Sequence, residues 1–287
     1  MLKCKDILTY CGDVCDLHTH THFSDGSLSP TELIELAEAR GLSAIALTDH
    51  NSIGGVPELL SAARGKRVSA IPGIEFSTDY MGVELHVLAL GIEPRSYPEI
   101  NRLVDEVTER KRAAIEGLIT DLIEAGYKID RENIHRGACG IVNRAHVATE
   151  LVRCGYADSR KDAFARILYS GGPFYRSPQY VGTLECVNFI KDIGAVSVLA
   201  HPFLNLDDEG VVRVLGELRG RLDGIEVLYS EYDAALTRRS IELAEQFSLK
   251  PSGGSDFHGK NKPEIALGTG RGDLRIPLSF ARDMGLI

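Results

Sequence analysis

Short apolar runs alternate with amphipathic stretches at both ends of this chain, and the middle is amphipathic almost throughout. Val14 to His18 reads as a strand. Ser29-Pro30-Thr31-Glu32 then opens a helix, with serine at the cap, proline at the first helical position and glutamate completing a capping box. Leu33, Ile34, Leu36 and Ala37 form its apolar face, and Gly41 marks the stop. Ala44 to Leu47, Val68 to Ile71 and Val83 to Leu90 predict further strands, and Pro57 to Arg64 a short helix. This rhythm predicts a parallel α/β unit.

The period changes after Glu93-Pro94. Pro98 to Ala125 is helical, with Ile100, Leu103, Val104, Val107, Ile115, Leu118, Ile119, Leu122 and Ile123 near a 3.6-residue repeat. Arg144 to Cys154 and Arg160 to Tyr169 predict two more helices, so residues 96–181 read as an all-helical insertion. The α/β rhythm then resumes. Helices are predicted over Leu184 to Ile193, Gly210 to Gly220 and Ala234 to Phe247, with strands over Ala195 to Leu199, Gly224 to Leu228 and Leu249 to Gly253. Seven strands predict a β/α barrel one strand short of eight, made of residues 1–95 and 182–287. In such barrels functional residues sit on loops at the C-terminal ends of the strands.

The histidines follow that rule. His18, His20, His50, His201 and His258 each fall at or just beyond a strand end, while His86 is mid-strand. Strand alternation turns His18 and His20 to one face, close enough to grip one cation. Asp25, Glu75 and Asp256 add carboxylates at the same level; of nine histidines only His22, His135 and His146 fall outside the set. Taken singly, each has an ordinary reading: His86 as a core histidine, Glu75 as a strand-end carboxylate. Imidazole and carboxylate without thiolate favour a hydrolytic metal site over a closed structural zinc site.

Composition narrows the setting. The formal charge of −9 argues against a broad duplex-binding face, so attraction for an anionic substrate has to be local. No apolar run reaches membrane-spanning length and no signal-peptide core precedes Gly12, which sets a cytoplasmic expectation. Cys4, Cys11, Cys15, Cys139, Cys154 and Cys186 form no C-x-x-C pair and read as reduced thiols.

His18-Thr19-His20, Ser24-Asp25-Gly26, Thr48-Asp49-His50-Asn51, Gly73-Ile74-Glu75, Ala200-His201-Pro202 and Gly254-Ser255-Asp256-Phe257-His258 resemble the ordered motifs of the PHP (polymerase and histidinol phosphatase) superfamily. The helical insertion, with Asn143-Arg144-Ala145-His146-Val147 and Gly171-Gly172-Pro173, further resembles stand-alone PHP phosphoesterases acting on nucleotides and RNA 5′ ends. The resemblance implies a distorted (β/α)7 barrel, capped by the insertion, with three divalent ions (manganese, iron or zinc). It implies His18, His20, Glu75 and Asp256 on the first ion. Glu75, His86 and His201 would hold the second, and Asp25, His50 and His258 the third. Such a site, roughly +3 by charge count, would select phosphate. A metal-bound hydroxide would attack phosphorus with no protein nucleophile.

The expected enzyme is therefore a metal-dependent phosphoesterase. It would act on 3′,5′-bisphosphate nucleotides, giving 5′-monophosphates, or on short RNA from the 5′ end. Arg144 and His146, at a helix start, are candidate phosphate or base contacts. A histidinol-phosphate-type monoesterase and a non-catalytic metal-binding module are the alternatives. Asp49 faces away from His50 and reads as hydrogen-bonding support. His22 stands where relatives carry a small hydroxyl residue; it touches substrate, donates a proton or faces solvent. Arg176 and Lys262 read as solvated charges that could line the pocket, His135 as surface without a partner, and Tyr175 and Tyr180 as packing or base-stacking rings.

Overall fold

The computed structural model describes residues 7, 10–136, 142–169, 171–174 and 180–287. Tyr175, Arg176, Cys4 and Cys139 lie outside the described residues. The chain divides into two compact units, Met1–Arg102 with Val181–Ile287, and Leu103–Tyr180.

The first unit is built on β1 (Val14–Asp16), β2 (Ala44–Leu47), β3 (Ser69–Tyr80), β4 (Val83–Leu90), β5 (Val181–Gly182), β6 (Val196–Ala200), β7 (Gly224–Tyr229), β8 (Lys250–Gly254) and β9 (Ile276–Pro277). Around it run α1 (Pro30–Ala39) and α2 (Val56–Ala62). The sheet order is β8-β7-β6-β4-β3-β2-β1-β9, with β5 pairing beside β3. Beyond the strands the ends meet: the Leu17 amide donates to the Gly253 carbonyl at 3.2 Å, Asp256 to His18 at 2.9 Å and His20 to Phe257 at 2.9 Å. These bonds bring β8 back to β1, so seven strands form a nearly closed barrel, as the strand count predicts.

One strand departs from the parallel expectation. β4 runs antiparallel to both β3 and β6. The turn joining it to β3 is only Met81 and Gly82, with φ of 54° and 85°. A two-residue turn of this hand fits a hairpin and is too short for a parallel crossover. The reversal places the N-terminal half of β4, with His86, at the end of the barrel where its neighbours finish. β3 is also longer than the expected Val68 to Ile71: it continues through Pro72 to Tyr80, so Glu75 lies within a strand.

Local chemistry fixes the helices as expected. Ser29 and Glu32 form the capping box of α1 in both directions, behind Pro30. A cap of this kind is worth about 1 kcal/mol. β2 and β7 are buried at every residue, which is why they read as unbroken apolar runs.

The second unit contains most of α3 (Tyr97–Glu124), then α4 (Arg131–Arg136), α5 (Arg144–Arg153) and α6 (Arg160–Arg166). Leu118, Ile119, Leu122, Val147, Leu151 and Leu168 are buried together in its own core. α4 was not expected, because it lacks an apolar period; the Asp130 carboxylate accepts from the Glu132 and Asn133 amides and starts it. Within this unit Glu150, only 2% exposed, accepts from the Asp130 amide, Asn133 and Arg153. Those bonds, led by the Arg153 guanidinium, lower its pKa from 4.5 to about 2. A depressed carboxylate contributes stability that is full above the unfolded pKa and is lost as pH falls through the folded one. Glu150→Ala is expected to cost about 2 kcal/mol in urea unfolding at neutral pH. The difference from wild type should shrink from pH 4.5 down to about 2.

The chain returns to the barrel and completes α7 (Thr183–Asp192), α8 (Asp208–Glu217), α9 (Ala234–Phe247) and α10 (Leu278–Asp283). Cys15, Cys154 and Cys186 are free thiols. No helix among the described residues is long and apolar enough to cross a membrane.

Candidate metal centre

Seven strands point their ends at one place, and Glu75 is at its middle. Its Oε2 lies 3.3 Å from His18 Nε2, 3.3 Å from His20 Nε2 and 3.0 Å from His50 Nδ1. Its Oε1 lies 2.8 Å from His86 Nδ1 and 3.2 Å from His201 Nε2. One carboxylate therefore meets five imidazoles delivered by β1, β2, β4 and β6. Asp256 Oδ1 stands 3.1 Å from His20 Nε2 and 3.7 Å from His18 Nε2. Asp25 reaches His258 Nε2 at 3.1 Å, His20 Nδ1 at 3.7 Å and His50 Nε2 at 3.9 Å.

The groups whose donor atoms converge are His20-Asp25-His50-His258, His18-His20-Asp256, His18-Glu75-His201 and His50-Glu75-His86. All nine residues expected from the sequence are in this one overlapping constellation. The sharing goes further than the resemblance implies: besides Glu75, His18, His20 and His50 each belong to two groups. Asp25 and His50 are the most open members, at 56% and 27% side-chain exposure.

The charges in the site stabilise one another. Burial alone would keep Glu75 neutral, but the charges of His50, His18 and His86 hold it well below the usual carboxylate range. Burial likewise opposes a charge on His20, yet contact with Asp256 and Glu75 raises it to about 9. His86 rises against its burial to about 10, chiefly through Glu75. Each carboxylate is anionic because positive charge surrounds it. Among the described residues, His18 Nε2, His20 Nε2, His50 Nδ1, Glu75 Oε2, His86 Nδ1 and His258 Nε2 are buried and make no hydrogen bond, because the short separations above are not aligned for one. Buried polar atoms are rarely left so. Nitrogen and oxygen donors, converging and otherwise unsatisfied, fit divalent cations.

Backbone strain gathers here too. Asn51, His201 and Asp256 take positive φ of 47°, 25° and 56°. Such conformations cost roughly 1–3 kcal/mol each and persist where surrounding bonds enforce them. Asp49, expected as support, accepts from the Thr21 amide at 2.7 Å, the Thr21 hydroxyl at 2.6 Å and the Ser24 hydroxyl at 2.6 Å. It ties the loop carrying Asp25 to β2. Asp16 does the same for the other side, accepting from the His18, Ser255 and Gly268 amides and the Ser255 hydroxyl.

The expectations for Lys262 and His135 are corrected. Lys262 is not a free solvated charge: its Nζ donates to Asp256 Oδ2 at 2.7 Å. His135 has a partner, Glu116, at 2.8 Å. Tyr180 lies under the Lys111 ammonium, 4.1 Å from its centroid. His22 is exposed and stacks on Phe23 at 4.6 Å. Arg144 and His146 have local partners in the helical unit: the guanidinium donates to the Leu168 carbonyl over the Phe164 ring, and His146 Nδ1 accepts from the Asn143 amide at 3.0 Å. Two residues escaped the sequence reading altogether, Glu226 and Tyr229. Glu226 Oε1 is 3.2 Å from His18 Nδ1, and the Tyr229 hydroxyl donates to Asp256 Oδ2 at 2.9 Å. The signal was a single acid in the apolar run Gly224-Ile-Glu-Val-Leu-Tyr.

The PHP domain family matches residues 16–149. An Escherichia coli protein named 5'-3' exoribonuclease Rnm is 32% identical over 89% of this chain and 88% of its own length. The chain belongs to the PHP family. A second relative, from Eggerthella lenta, is 34% identical over 85% of the chain and 94% of its own length. It is named phosphoribosyl 1,2-cyclic phosphate 1,2-diphosphodiesterase. A third, from Chromobacterium violaceum, is 29% identical over 85% of the chain and 86% of its own, and is named 3',5'-nucleoside bisphosphate phosphatase. A crystal structure described as a putative metal-dependent phosphoesterase from Bifidobacterium adolescentis superposes with a TM-score of 0.70 at 26% identity, covering 96% of each chain.

Proposed function

We propose that this PHP protein is a metal-dependent phosphoesterase whose substrates are phosphate esters of nucleotides or the 5′ end of short RNA. The observation that carries the proposal is the convergence of His18, His20, Asp25, His50, Glu75, His86, His201, Asp256 and His258, with six buried donor atoms left without hydrogen-bond partners. These residues would hold two or three divalent ions, manganese, iron or zinc. Such ions supply Lewis acidity toward phosphate oxygens and lower the pKa of water.

The chain's own groups do the rest. Glu75 provides one anion shared among five imidazoles, so it can serve neighbouring ions at once. Asp25 and His50, the most open members, face incoming substrate. Lys262, 35% exposed and bonded to Asp256, keeps an ammonium at the edge of the site, where it favours an anion. Net acidity elsewhere in the protein makes this ammonium, beside the ions, a local source of attraction. Arg144 and His146 are assigned to substrate by the resemblance of the helical unit, whose part in the proposal is to set substrate size.

Three relatives of comparable identity have names with three different phosphodiester or phosphomonoester substrates, so the leaving group distinguishes them more than the attacked phosphorus does. The deciding experiment offers the purified protein, with manganese, a 3′,5′-bisphosphate nucleoside, a 5′-phosphorylated oligoribonucleotide, a cyclic ribosyl phosphate and histidinol phosphate. Release from either of the first two, abolished by chelation and restored by manganese, is the expected result. Turnover of histidinol phosphate or the cyclic ester alone would overturn the substrate reading. No release from any, with metal bound, would overturn the enzyme reading.

A further inference from the structure

Of the seven barrel strands, β7 alone delivers none of the nine converging groups. It is nevertheless the strand most engaged with them from behind. Glu226, fully buried, divides its carboxylate between two strand ends: Oε1 is 3.2 Å from His18 Nδ1, and Oε2 accepts the His201 amide at 2.8 Å. Tyr229 donates its hydroxyl to Asp256 Oδ2 at 2.9 Å, and its ring lies 5.1 Å from that of His201. Groups from β1, β6 and β8 are thus held by one strand.

The bonding has a direction. A carboxylate can only accept, so Nδ1 of His18 keeps its proton and donates it in a hydrogen bond to Glu226, which leaves the lone pair on Nε2. That is the nitrogen facing Glu75 and Asp256 and lacking a hydrogen-bond partner. The same carboxylate pins the amide of His201, whose φ of 25° is strained. Asp256 is treated alike. Its Oδ2 is occupied by Tyr229 and Lys262, which turns Oδ1 toward His20 at 3.1 Å.

We propose that β7 is the positioning strand of this site. Glu226 sets the tautomer of His18 and the backbone of His201, Tyr229 sets the rotation of Asp256, and together they determine how tightly the His18-His20-Asp256 group holds a divalent cation. Neither residue touches the ion or the substrate. The inference rests on the metal reading above and is tested apart from it.

Glu226→Gln is close in volume but cannot serve both contacts. If its oxygen accepts from His18, its amide group opposes the His201 amide; if reversed, it donates to Nδ1 and moves the His18 proton to Nε2, into the site. Manganese alone is the probe, with affinity read by competition against a fluorescent chelator, stoichiometry by elemental analysis and folding by circular dichroism. Glu226→Gln is expected to bind one ion about 10–100-fold more weakly, the usual consequence of losing an outer partner. Tyr229→Phe should show a smaller loss of the same kind. Excess manganese should restore much of the turnover, a rescue that a residue acting on substrate would not allow. Wild-type affinity in folded Glu226→Gln overturns the proposal while leaving the metal reading intact. If Glu226→Gln does not fold, Tyr229→Phe decides: unchanged affinity overturns it. A wild-type protein that binds no manganese, zinc or iron removes the metal reading and this inference together.

Discussion

Glu75→Gln is expected to lower kcat by about 10²- to 10⁴-fold and to strip metal from the protein while leaving its fold in place. The substitution keeps the volume and removes the charge. In the native site five imidazole nitrogens lie within 3.3 Å of the Glu75 carboxylate. Glutamine would turn an NH2 group toward some of them and toward any cation they share. Removing one partner of a buried charge cluster costs about 3–5 kcal/mol. At about 1.4 kcal/mol per factor of ten, that is two to four decades in the stability of the loaded state. Steady-state rates at saturating manganese, elemental analysis after dialysis and circular dichroism together check this. A folded variant within tenfold of wild-type activity would refute the central place given to Glu75. Asp25→Asn makes the contrast: Asp25 is more than half exposed and serves the outer group, so a smaller loss is expected there.

The identity of the converging residues was legible in the chain because strand ends are punctuated there. His18 and His20 sit two apart at the close of an apolar run, His50 and His201 each follow one, and Asp256 and His258 follow the small-residue strand Lys250–Gly254. Periodicity could also separate the helical unit from the barrel, since the repeat changes from strand-like to near 3.6 after Pro94. What stayed hidden was set by tertiary pairing. The reversal of β4 is decided by a two-residue turn at Met81 and Gly82, and only that reversal brings His86 to the mouth. Lys262 reads as an ordinary surface charge until the bend after β8 returns it to Asp256. Glu226 is one acid in a buried strand; its importance depends on which imidazole lies across the barrel closure, and no local spacing encodes that.

Gly254→Ala should be nearly as damaging as loss of Glu75, by a different route. At the end of β8 a Cβ on Gly254 would stand 2.0 Å from His18 Cβ, 2.8 Å from the His18 backbone nitrogen and 2.9 Å from Glu226 Oε1. Two of those neighbours are fixed in the chain, so a rotamer change cannot relieve the clash. β1 and β8 must separate where Leu17 bonds to Gly253 and Asp256 to His18. That movement carries His18 away from Glu75 and loosens the barrel closure in one step. Overpacking on this scale costs about 3 kcal/mol. We expect a thermal midpoint several degrees lower and turnover below about 1% of wild type, in keeping with the 10²-fold or greater cost of misplacing a site group by an ångström. Gly216→Ala is the matched control. Gly216 lies in α8, no atom within 4 Å opposes a Cβ there, and its backbone is helical. The same methyl should stabilise by up to about 1 kcal/mol, from helix propensity. If both alanine variants behave alike in melting and in turnover, close approach of β8 to His18 is not what builds this site.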